Sequence, residues 1–255
     1  MYLQLSALVF TFVFIFVCLL IALEIGFRAG KRKHDAQIEY ESFLLGTIEG
    51  ASLGLVALLL GFSFSAAGAR FFERHDALIA EANAIRTSYL RADLFEEPFR
   101  ENYRKALREY AKSRLDIVES KSPEQLIERI AVSENLQRPL WSTAIAGLRK
   151  SPSFDETITN SLNEVLDLHT IRMAKVFRHT SIWVFVVLII CCQISLATMG
   201  FGCGLRKHRY GFFSMSMVSL LTMVLWLVID LDFPRCGFIQ IDHKPLIRLQ
   251  EEIKN

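Results

Sequence analysis

The sequence predicts an all-α membrane protein: four transmembrane helices with a large helical-bundle soluble domain between spans 2 and 3. Three observations predict it. The 255-residue chain is 52% hydrophobic with a mean hydropathy of +0.30. Its apolar residues gather into four charge-free blocks, 1–23, 50–69, 180–205 and 211–229, and about 20 apolar residues cross a bilayer as a helix. Between the second and third blocks lies a long segment of charged residues and helical spacing, too polar to enter lipid. The spans are placed at about 4–27, 43–69, 180–204 and 211–229. This gives a transmembrane hairpin over 1–69, a soluble bundle over 70–178, a second hairpin over 179–229 and a tail over 230–255.

The first block reads as a retained span. No Lys or Arg precedes Leu23, the apolar run exceeds a signal-peptide core, and the basic cluster Arg28, Lys31, Arg32 and Lys33 follows it. The short loops 28–40 and 206–210 carry four and three basic residues and lie on one side of the membrane. The positive-inside rule makes that side cytoplasmic and leaves the helical domain outside. Arg70, Arg74, Arg172, Lys175 and Arg178, at the membrane ends of the long segment, pull the other way.

The second span carries a stripe of small residues: Gly46, Gly50, Gly54, Ala57, Gly61, Ser65 and Gly68. Steps of three and four keep them on one helix face. In lipid, helices approach closely by packing, so Gly, Ala and Ser mark contact faces. The stripe packs either on the other spans of its own chain or on neighbouring subunits around a conduit. Leu58, Phe62 and Phe64 are candidates for an apolar constriction, which can gate by dewetting, and they fit lipid contact equally well. Glu24 and Glu49 border the first two spans; the favoured reading pairs them with the basic loop, the alternative sets Glu49 at the mouth of a water-filled path.

The soluble segment reads as four helices. The second span runs on through Phe72, Leu78, Ala82, Ile85 and Leu90 and stops near Glu96 and Glu97, ahead of Pro98. A second helix presents Leu107, Tyr110, Leu115 and Val118 on one side. A third opens with Ser122 as N-cap, Pro123 at the first position and Gln125 as capping-box partner, and Pro139 ends or kinks it. The last starts near Pro152 and continues into the third span. In the tail, Asp230 and Asp232 read as solvated helix-end charges, Pro234 and Gly237 as a turn, and "FIQID" as a short strand or extended clamp packed on the helical domain.

The chemistry available is thin, and the chain does not read as an enzyme. No two of the six histidines share an i, i+4 spacing, and HExxH, phosphate-loop and GxSxG patterns are absent. Neither a metal site nor a cofactor is expected. Cys191 and Cys192 read as small buried hydrophobes, and none of the five cysteines falls in the soluble segment. Basic and acidic residues nearly balance there, which excludes a nucleic-acid footprint.

Three strings, "LLLGFSFSAAGARFFERHDALIAEANAIRTSYLRADL" (58–94), "LEIGFRAGKR" (23–32) and "VIDLDFPRCGFI" (228–239), together resemble the bestrophin-like domain family of four-span bacterial and plant membrane proteins. The match runs through Gly61-Phe62-Ser63, Glu81 to Ile85 and Leu90 to Leu94, and closes on Asp230, Leu231, Asp232, Pro234, Arg235 and Gly237; Phe233 departs from it, standing where a more polar residue is expected. The resemblance implies kinship of architecture with bestrophins, pentameric anion channels that hold the helical domain in the cytoplasm, against the loop charges here. It implies an oligomeric ion channel or channel-like pore in a bacterial inner (cell) membrane; that the second span lines it is the reading of the small-residue stripe, since the kinship carries no pore residues across. Its expected partners are membrane lipid, copies of itself and inorganic ions, with no nucleic acid. The rival reading is a non-conducting sensor or scaffold whose bundle binds a partner or ligand, with Glu81, Asn83, Arg86, Arg91 and Asp93 as an internal polar network.

Overall fold

A computed structural model describes residues 2–35, 42–120, 122–209, 211–234 and 237–254, with backbone alone for 2–8, 35, 42 and 43. Among them the chain forms nine α-helices and no strand: α1 (Tyr2–Asp35), α2 (Ser42–Arg91), α3 (Phe99–Val118), α4 (Pro123–Asn135), α5 (Gln137–Leu148), α6 (Asp155–Phe177), α7 (Ile182–Leu205), α8 (Gly211–Asp232) and α9 (Lys244–Glu252). The residues divide into two compact units, Met1–Phe71 with His179–Gln240, and Phe72–Arg178 with Ile241–Asn255.

The first unit holds the four membrane spans, in α1, the first half of α2, α7 and α8. Its tightest pairing joins α1 to α7, and glycine is the reason. A methyl group at Gly26 would stand 2.0 Å from the carbonyl oxygen of Ala197, and one at Gly30 would stand 2.1 Å from that of Phe201. From the other side, Gly200 and Gly204 press on the carbonyls of Leu23 and Phe27 at 2.2 Å. Contacts that advance together along both helices make the pair parallel. Gly26/Gly30 and Gly200/Gly204 are thus two GxxxG motifs with backbone lying on backbone, which no side chain would permit. Around this pair, Leu19 of α1, Leu60 of α2, Leu196 of α7 and Val218 and Leu225 of α8 form the membrane core.

The second unit gathers the rest of α2, helices α3 to α6 and α9 around Ile85, Tyr103, Leu107, Tyr110, Leu140, Ile158 and Leu162. Ser122 caps α4 as its sequence predicts, its hydroxyl accepting from the Gln125 N–H at 3.3 Å. Four expectations are corrected. Pro139 does not end a helix: α4 stops at Asn135, and Pro139 sits in the first turn of α5, where its missing N–H costs no helical bond. Helix α6 does not run into the third span, because Arg178 is extended and α7 begins at Ile182. Helix α2 stops at Arg91, short of Glu96, through a 3₁₀ turn over Ala92–Leu94. No strand forms in the tail, which instead supplies α9; its Leu246 and Leu249 and the following Ile253, spaced three and four apart, sink into the second unit's core.

If the α1–α7 contact sets the membrane fold, Gly200→Leu lowers the melting temperature of the purified full-length protein by roughly 2–12 °C, as overpacking costs of about 1–3 kcal/mol imply for a chain of this size. Gly211→Ala, with open space around the added carbon, leaves the melting curve in place.

Candidate functional site

The second span meets its own chain along one narrow edge. Val56, Leu60 and Ala67 are buried, and Glu49 and Ser52 share that edge at helical spacing. The opposite side is open. Gly46, Gly50, Gly54, Ala57, Gly61 and Ser65 are exposed, and a carbon added at Gly46, Gly50, Gly54, Gly61 or Gly68 meets nothing within 4 Å. The intrachain alternative for the small-residue stripe is therefore not realised. The other spans turn bulk outward, with Phe10 and Phe14 on α1, Trp183 and Val187 on α7, and Phe213 and Met223 on α8, while α2 divides its open side between the stripe and large side chains such as Ile48, Leu55 and Phe62. Large apolar side chains suit lipid, and a glycine face suits another helix.

Leu58 and Phe62, 54% and 66% exposed, lie one turn apart on the far flank of this open face. Phe64, two residues on, diverges from Phe62 by about 200° of helix rotation and borders the stripe on its other side. The structure therefore brings Leu58 and Phe62 together and separates Phe64 from them.

Glu49 is on the inner edge, turned to α7. Its carboxylate lies directly over Gly202, where an added carbon would fall 1.8 Å from Oε1, and that oxygen is buried with no hydrogen-bond partner. One turn on, the Ser52 hydroxyl lies 3.2 Å from that of Ser195 and 3.5 Å from that of Thr198. These residues form a polar seam between α2 and α7. Glu24 behaves as its interface reading predicts, accepting from Arg28 at 2.8 Å and from Arg209 of the other short loop at 3.2 Å.

Asp230 and Asp232 are not solvated. Both are fully buried, and each has its own task. The carboxylate of Asp230 accepts from the N–H groups of Phe238 and Ile239, both at 2.9 Å, fixing the turn after Pro234. Gly237 is needed there, since a side-chain carbon would lie 2.5 Å from the Asp230 carboxylate. Asp232 accepts from the N–H and the hydroxyl of Thr180 and from Nε of Arg70, all at 2.9 Å. It thus joins the ends of three spans. A buried charge is tolerated only with such partners. Arg235 lies outside the described residues.

In the second unit, Glu81 alone among the five proposed network residues reaches the interior. It accepts from Nε of Arg114 at 2.7 Å and from Nη1 of Arg172. Asn83 is exposed, Arg86 pairs with Glu252 at 2.7 Å, Arg91 donates to the Thr157 carbonyl at 3.2 Å, and Asp93 pairs with Arg104 at 2.6 Å. Of the residues that complete the interior cluster, the sequence reads Tyr110 as an apolar-face residue and Arg172 as a membrane-end charge, whereas Arg172 is buried, and it does not single out Arg114 and His169. Helical spacing could have found them, since Tyr110/Arg114 and His169/Arg172 each share a face. Burial pushes His169 down to about 4, aided by the Arg114 charge, so its imidazole is neutral; the Tyr110 phenol is pushed up by the same burial.

A family model for the bestrophin-like domain matches residues 12–246. No curated protein matches the chain. Among solved structures, a point variant of a bacterial bestrophin homologue from Klebsiella pneumoniae aligns at 14% identity with a TM-score of 0.70, covering 94% of this chain and 97% of that one. A second variant of that homologue aligns at 16% identity and 0.68, over 98% and 96%. A membrane protein solved as a point variant aligns at 15% and 0.69, over 97% of each chain. At these identities the likeness establishes the fold.

Asp232→Ala strands the Thr180 N–H and the Arg70 guanidinium, and its cost is expected at about 3–5 kcal/mol. Thermal unfolding of the full chain reads that loss, with Asp232→Asn recovering part of it. Glu97→Ala, which removes an exposed pair with Arg100 at 3.7 Å, stays near neutral.

Proposed function

This chain belongs to the bestrophin-like domain family, and from that premise we propose that it is an oligomeric ion channel whose conduit is lined by α2. The observation that carries this reading is the uncovered small-residue face of α2. Four spans in one subunit enclose no aqueous path, so conduction needs symmetric copies around an axis. A span whose glycines are already packed at home could not also meet a neighbour; here Gly46 to Gly68 are left available. With the stripe of each copy against its neighbour, Leu58 and Phe62 on the adjoining flank turn toward the shared axis and form the constriction. Phe64 falls behind the stripe. Glu49, held over Gly202, contributes from the seam beside the short-loop mouth. The Klebsiella homologue of the same fold is a bestrophin homologue, which supports the analogy.

A second reading is favoured by one observation. A cleft of about 460 Å³ in the second unit is lined by His75, Asn83, Arg86, Asp242, Arg248 and Glu252, among others, and offers a ligand-binding surface to a non-conducting sensor. As for topology, the charges of the short loops support their placement on the cytoplasmic face of a cell membrane, with the helical unit outside.

Planar-bilayer recording of the purified protein decides between the readings. Ion-dependent currents are expected, with Phe62→Ala changing unitary conductance severalfold and Phe64→Ala leaving it unchanged. Silent bilayers across voltages and ions favour the sensor. For topology, an alkaline phosphatase fused after residue 255 is expected to be active, and inactivity would place the helical unit in the cytoplasm.

A further inference from the structure

The helical unit encloses more positive charge than its own side chains balance. Arg114 is wholly buried and Arg172 is 5% exposed, against a single wholly buried carboxylate, Glu81. The charges acting on Arg172 come from Glu81, Arg114 and Tyr110, and Tyr110 and His169 are neutral. The cluster therefore holds one net positive charge in a dry interior, where an unbalanced ion is strongly disfavoured.

The hydrogen bonding is unbalanced in the same sense. Both oxygens of Glu81 are occupied, Oε1 by Nε of Arg114 and Oε2 by Nη1 of Arg172. Arg114 gives its Nη1 to the Ser133 hydroxyl at 3.3 Å. Its Nη2 is buried with no partner. Tyr110 and His169 Nδ1 lie 3.0 Å apart, and a phenol that donates its proton to Nδ1 leaves the neutral ring's own proton on Nε2. In that tautomer Nε2 is a donor, and it is also buried and without a partner. Two unmet donors thus stand beside an unmet positive charge. Tyr110 and Arg114 are one turn apart on α3, His169 and Arg172 one turn apart on α6. The phenol–imidazole contact and the shared Glu81 bring the two pairs face to face.

We propose that a monovalent anion of halide size binds inside the helical unit, held by Nη2 of Arg114 and Nε2–H of His169 beside Arg172. The enclosing side chains are inaccessible, so the occupant is small and dehydrated, and its charge neutralises the cluster. A water molecule would satisfy the two donors and leave the charge. This site lies in the second unit and stands independently of the conduction reading.

The test uses the full chain in detergent, melted at constant ionic strength with bromide replacing isethionate, an anion too large for a closed site. A saturable rise in melting temperature of about 3 °C is expected, together with an anomalous bromide peak at hydrogen-bond distance from Arg114 Nη2 in soaked crystals. Arg114→Gln abolishes both. Should that variant fail to fold, His169→Phe retains Arg114, loses one donor, and raises the half-saturating bromide concentration severalfold. The proposal is overturned by density for water alone at Nη2, by a melting temperature indifferent to halide, or by a halide shift that survives undiminished in folded Arg114→Gln.

Discussion

The closest packing in the membrane unit is the contact of α1 with α7, backbone on backbone, through Gly26, Gly30, Gly200 and Gly204. In lipid there is no water to expel from between apolar helices, so association rests on how near two helices can come. This pair spends its small residues on each other. The consequence reaches α2, which touches the unit through long side chains on one edge, at Val56 and Leu60, and through the Ser52 seam. Its own small residues are left over. An uncovered glycine face in a membrane is either wasted or reserved for a protein surface, and the proposed assembly takes the second.

Buried charge does the complementary work at the ends of the helices. Asp232 ties Thr180, at the start of α7, to Arg70 on α2 and to its own helix, while Asp230 holds the chain as it turns away. Glu81 plays the same part inside the helical unit, gathering arginines from α3 and α6. In each case a carboxylate out of water is tolerated because it accepts from several donors at once. Such nodes fix which helix ends meet.

Much of this architecture was legible in the chain. The four spans follow from charge-free length, and α4 from Ser122 and Pro123. The stripe on α2 follows from its period, but period tells only that something approaches closely, not what; the partner is a property of the whole unit. The same spacing at Gly26/Gly30 and Gly200/Gly204 was equally readable, and it names the one pair that satisfies itself at home. Asp230 and Asp232 were misread because the burial of a carboxylate depends on donors distant in sequence, Arg70 and Thr180 for one and a tail turn for the other. The interior cluster was missed for a related reason. Glu81 was visible in its motif, yet its partners sit on two other helices. Helix α9 was hidden by a short tail whose Leu246 and Leu249 matter only once a core exists to receive them.

The central claim is that the open face of α2 meets copies of itself. Native mass spectrometry of the protein ejected from lipid nanodiscs tests it most directly. A mass several times that of the 29.1 kDa chain is expected, collapsing to the single-chain mass when Gly54→Trp fills the stripe. A lone subunit in the unaltered protein, or an assembly indifferent to bulk at Gly54, contradicts it.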